Sequence, residues 1–225
     1  MFTQLIMWLT IALLSSVGIQ VFQISKKVRH PLAKILSLGL FFVAFGILSY
    51  AVRDIFVQFG MYEIQHFLLL IGALVHGLGC ALIILFLTQE FSKEYLKKIF
   101  SVVCILIILV VLGSTSFFIK GSKIIRAPFE FFPYYVVRNF PESHSNTIFF
   151  IISFTIGSLL LIGISLYNTL QLKEKKLKQK ALLYEIGFLL LLFPMAICGL
   201  ISPIYARWGY LLGAFLIYRA FKMKV

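Results

Sequence analysis

No charged residue occurs between Met1 and Lys26, and the run from Phe2 to Ile24 is almost wholly apolar. Nothing else constrains the chain so tightly. About 20 apolar residues in a helix cover a hydrocarbon core about 30 Å thick. A helix is also the single-segment structure that satisfies its own backbone N–H and C=O groups in lipid. A cleavable leader would carry basic residues ahead of the apolar run; here the first is Lys26, behind it. The segment therefore reads as a retained span, oriented by the charges that follow.

The same pattern recurs to the end of the chain. Apolar runs predict spans over about 2–24, 32–59, 61–88, 99–119, 148–168, 181–201 and 203–218, with one long loop at 120–147. The class is all-α: one domain over 1–225 with seven transmembrane helices. Only 13% of residues are charged and 61% are hydrophobic, whereas about a quarter are charged in a soluble globular chain. Cys80, Cys104 and Cys198 all fall inside apolar runs, which excludes a disulfide framework and a thiolate metal cluster.

Charge then sets orientation. The first, third and fifth loops and the tail hold fifteen Lys and Arg, from Lys26 to Lys224. The other side holds six: Arg53, Lys120, Lys123, Arg126, Arg138 and Arg207. Basic loops stay in the cytoplasm, so the N-terminus is outside, the C-terminus is cytoplasmic and the chain is a multi-pass protein of the cell membrane. This distribution also accounts for the net charge of +13 without nucleic acid. The long outer loop carries Phe129, Phe131, Phe132, Tyr134 and Tyr135 between prolines. Aromatic rings favour the headgroup boundary, so this segment reads either as lying on the outer interface or as a lid over a cavity.

Ionisable groups at membrane depth are costly and mark candidate sites. His76 lies near the middle of the third span among Gly72, Ala73, Gly77 and Gly79. It is either a neutral histidine bonded to a Ser or Thr across a close helix contact or a ligand group. A second constellation gathers at the outer end: Arg53 and Asp54 close the second span, Glu63 and His66 open the third, and Arg207 lies about one turn into the seventh. These fit an ion-pair network or the mouth of a polar pocket that Tyr50 would also line. No metal is assigned to Glu63 and His66, although they share a helix face. Glu185 is expected to snorkel towards the basic loop at Lys180.

Cofactors and catalysis find no support. His66 and His76 are about 15 Å apart along one helix, so they cannot bind one haem iron from opposite faces. The seventh span has no lysine for a retinal Schiff base, and the chain shows no Ser–His pair or His–Glu zinc helix. The chain reads as a non-enzyme without cofactor.

Ser25–Lys26–Lys27 precedes the second span. Tyr167 and Lys173–Glu174–Lys175–Lys176 lead into the sixth, and Arg207–Trp208–Gly209–Tyr210–Leu211–Leu212–Gly213 runs through Tyr218–Arg219–Ala220. On these features the chain resembles the seven-helix N-terminal membrane sensor regions of prokaryotic histidine kinases and related signalling proteins. The resemblance implies sensing of a ligand or of membrane state. No output domain follows Val225, so signalling would need a membrane or cytoplasmic partner protein.

The leading expectation is thus a protein that senses or binds a ligand, or scaffolds a partner, through an outer-leaflet polar cavity. That cavity would lie between the second, third, sixth and seventh spans, with His76 as its floor. One alternative is a small-solute carrier with two three-helix repeats joined by the fourth span, since Gly39, Phe45 and Gly46 match Gly187, Phe193 and Pro194 in spacing. Another is an accessory subunit of a larger membrane complex.

Overall fold

The computed structural model describes residues 2–61, 63–91, 119–126, 135–141, 163, 166–167, 169–197 and 203–223. Five helices and one antiparallel hairpin are described: α1 (Phe2–Val28), α2 (Pro31–Gln58), α3 (Glu63–Phe91), β1 (Ile119–Arg126), β2 (Tyr135–Pro141), α4 (Lys175–Ile197) and α5 (Pro203–Lys222). The helices match the first, second, third, sixth and seventh predicted spans. The fourth and fifth lie largely outside the described residues. Three helical stretches, Phe2–Val28, Pro31–Gln58 and Phe67–Leu87, are long and apolar enough to cross a bilayer. The chain is therefore a membrane protein with a largely helical body.

Local chemistry sets the helix limits. Pro31 occupies the first turn of α2, where its missing N–H costs nothing. Arg29, with φ 52°, turns the chain between α1 and α2. At the other end of α2, Gly60 adopts φ 74°, Gly60 N donates to Val57 O and Met61 N to Phe56 O. That is a Schellman closure, which needs a left-handed residue of the kind glycine supplies. This turn marks one end of the bundle, the turn end; the α1–α2 link marks the other, the link end.

Two boundaries differ from expectation. α4 begins at Lys175, six residues before the predicted Ala181, because Lys175–Lys180 contains only good helix formers and no Gly or Pro. The predicted loop at 120–147 is not wholly irregular: it contributes a two-stranded hairpin beside the helices. β1 and β2 pair in antiparallel fashion, with Ile124 opposite Val137 and Ile125 opposite Val136. β-branched residues favour that pairing, and it satisfies backbone groups on both strands. Ile119, the predicted last residue of the fourth span, belongs to β1. The aromatic residues from Phe129 to Tyr134 lie outside the described residues, and Tyr135 opens β2 opposite Arg126.

The helices pack in a circuit. α3 lies on α2, α2 on α1, α1 on α5 and α5 on α4, and a short contact between α4 and α3 closes it. β2 rests against both α2 and α5. Leu14, Leu40, Val43, Ile47, Ile83, Phe188, Leu191 and Ile217 fill the interior. Phe2, Leu5, Leu9, Ile19, Phe22, Leu212 and Phe215 are exposed on the outside, as lipid contact permits. Polar ties are few and specific. Ser37 Oγ donates to Gly18 O at 2.8 Å and Gln4 Nε2 to Ala51 O at 2.9 Å.

Candidate functional site

The turn end of the bundle holds a charged cluster. Asp54, near the C-terminus of α2, is completely buried, and Arg53 and Arg207 are nearly so. Arg207 Nη2 donates to Asp54 Oδ2, and Arg53 Nη2 lies 3.7 Å from Asp54 Oδ1. The backbones of α2 and α5 do not approach each other, so the Arg207 side chain spans the interval between them. A carboxylate removed from water is stable only when such donors surround it. The same positions that end α2 and open α5 thus join two helices 153 residues apart in sequence.

Below this cluster runs an aromatic column. Arg53 Cζ lies 5.7 Å from the Tyr50 ring centroid. The Tyr50 ring is 6.1 Å from the His76 ring, and the Tyr210 ring of α5 lies 5.2 Å from His76 on the other side. The three-residue spacings Tyr50–Arg53 and Arg207–Tyr210 put the members of each pair on one helix face. His76 is completely buried. The backbone of Leu191 in α4 comes within reach of its imidazole, yet neither ring nitrogen has a hydrogen-bond partner of normal geometry among the described residues. Among the described residues the ring meets two phenol rings and no Ser or Thr hydroxyl. Gly46 makes this possible, because a Cβ there would lie 2.6 Å from His76 Cβ.

Of the candidate residues, Arg53, Asp54 and Arg207 are brought into direct contact, and Tyr50 and His76 continue inward from them. Glu63 and His66 lie in the first turns of α3, at the same end, but their side chains fall outside the described residues. Among those residues no three His, Cys, Asp or Glu side chains gather as a metal site.

Two participants escaped sequence reasoning. Tyr210 figures in the sequence reading only within the Arg207–Gly213 stretch and not as a site residue, although its place three residues after Arg207 was a usable signal. Glu185 does not snorkel: it is buried, and Thr169 Oγ1 donates to its Oε1 at 2.6 Å. A nearby hydroxyl offers the carboxylate a bond without the extension that reaching the basic loop would demand.

No protein-family model matches the chain, and no curated protein matches it either.

Proposed function

We propose that this chain is a non-catalytic, multi-pass membrane protein that binds a small polar ligand between α2, α3, α4 and α5. The observation that carries the reading is the column Asp54–Arg53–Arg207, Tyr50, His76 and Tyr210, built from three helices and buried except at the half-buried Tyr50. Buried polar groups at membrane depth are costly and persist where they bind or switch. Ligand sites in helical proteins lie between helices, with a few convergent polar groups in an apolar wall.

In this reading the chain crosses the cell membrane seven times with its N-terminus outside, as the fifteen-to-six division of Lys and Arg favours. The turn end then faces outward. The ligand enters past Arg207 and Asp54 under the hairpin.

Affinity purification in mild detergent, with mass spectrometry of co-purifying small molecules and proteins, tests the reading. A small polar molecule should accompany the native protein and be depleted from folded His76→Phe and Tyr210→Leu variants. Identical small-molecule profiles for all three would refute it.

A further inference from the structure

The crossing of α2 with α3 and that of α4 with α5 are the same construction. A Cβ at Gly39 would lie 3.0 Å from Gly79 O and 3.0 Å from Ile83 Cγ1. A Cβ at Gly187 would lie 3.0 Å from Gly213 O and 2.7 Å from Ile217 Cγ1. Ile83 follows Gly79, and Ile217 follows Gly213, by one helical turn. In the reverse direction, a Cβ at Gly79 would lie 2.7 Å from Gly39 O, and one at Gly213 would lie 2.7 Å from Gly187 O. Gly79 also abuts Val43 and Gly213 abuts Leu191; each of these follows its own α2 or α4 glycine by one turn. Two unrelated helix pairs have no reason to share the glycine-to-carbonyl approach, the isoleucine and the spacing.

The correspondence extends to the preceding helix. Ser37 stands two residues before Gly39 and ties α2 back to Gly18 of α1. Glu185 stands two residues before Gly187 and ties α4 back to Thr169. It extends also to the site. His76 precedes Gly79 by three residues and Tyr210 precedes Gly213 by three, so these are equivalent positions, and their rings meet 5.2 Å apart. Equivalent residues of two copies touch where a two-fold axis passes between them.

We propose that the chain is built from two copies of one helical unit, α1–α3 and the segment from Thr169 through α5. They are related by an axis through the His76–Tyr210 contact, and the units rock about that contact to open the site alternately at the turn end and the link end. This commits the ligand site proposed above to transport, and it rests on that reading for the location of the solute. Parallel repeats with such an axis place their solute near mid-membrane between the copies.

The solute class follows from the contact. The His76 imidazole lies between two phenol rings and near the Leu191 backbone, with no charged side chain in contact with it among the described residues, which suits a small uncharged solute bearing hydroxyl or amide groups. The ties between the units sit at opposite ends. Arg207 to Asp54 and the Phe2–Trp208 ring contact at 5.6 Å close the turn end, and Lys222 Nζ to Gln20 Oε1 at 2.9 Å closes the link end. A carrier must break one set while keeping the other.

Pulsed electron-electron distance measurement on the full chain in nanodiscs, without added ligand, tests this. Spin labels at Phe59 and Trp208 read the turn end between units, Lys34 and Lys176 read the link end between units, and Lys176 and Lys222 read within the second unit. All these positions are exposed. The proposal expects two populations for each between-unit pair and one narrow population within the unit. Asp54→Asn should enlarge the long Phe59–Trp208 population and shrink the long Lys34–Lys176 one. Gln20→Leu should do the reverse, and it keeps the test decisive if Asp54→Asn fails to fold. A single population at both ends in every variant overturns the proposal. So does opening at the turn end alone, which is what a ligand sensor would show. So does a within-unit distance that broadens with the others. Loss of the co-purifying molecule would defeat the ligand reading yet leave these distances as predicted, so the two failures are separable.

Discussion

Replacing Arg207 with Ala removes the group that holds the Asp54 carboxylate across the bundle. Asp54 is completely buried, so no water replaces the lost donor. Breaking a buried pair by deleting one partner costs about 3–5 kcal/mol. Arg53 moderates this, since its Nη2 stays 3.7 Å from Oδ1. Two unit charges about 4 Å apart attract by about 4 kcal/mol at an effective dielectric of about 20. The cost of Arg207→Ala should therefore fall near the lower limit, about 3 kcal/mol. Asp54→Ala should cost more, about 4–5 kcal/mol, because it leaves two guanidinium groups buried side by side. Reversible unfolding in mixed detergent micelles reads these values, and a double-mutant cycle isolates the pair. Asp54→Leu with Arg207→Leu should be more stable than Asp54→Leu alone, since it leaves one buried cation instead of two. The reasoning fails if Arg207→Ala stays within about 0.5 kcal/mol of the native protein, the range of an ordinary surface change. It fails equally if the double variant is as unstable as the two single effects added together.

A Cβ at Gly79 would meet Val43 N at 2.6 Å and Gly39 O at 2.7 Å, backbone that cannot turn aside, so Gly79→Ala should cost about 1–3 kcal/mol. Gly18→Ala, which would meet only the movable Phe41 ring at 3.3 Å, should cost far less in the same unfolding assay. Thr169→Val deletes the donor to buried Glu185 and should lower stability by about 1–3 kcal/mol, while Thr169→Ser restores most of it. A reporter fused to the C-terminus should be active only in the cytoplasm; activity of an exported-only reporter there would overturn the proposed orientation.

The apolar runs of this sequence by themselves determined that α1, α2 and α3 are membrane helices, because a segment without water must bond its own backbone. The same runs showed that Arg53, Asp54 and Arg207 share a depth, since rise per residue is fixed once the helix is granted. The start of α4 was less legible, because Lys175–Lys180 is polar yet helical, and hydropathy reports environment before it reports backbone. The β1–β2 pairing was missed because strand register depends on a partner segment. Which faces meet was decided only by tertiary structure. In lipid all apolar faces are alike, so helix pairing rests on close packing of small residues and on rare polar bonds. Gly39 finds Gly79, Gly187 finds Gly213, and Arg207 finds Asp54 across most of the chain. Each helix carries its own half of such a contact in its sequence, but the match between halves depends on shape and distance that exist only once the helices are packed.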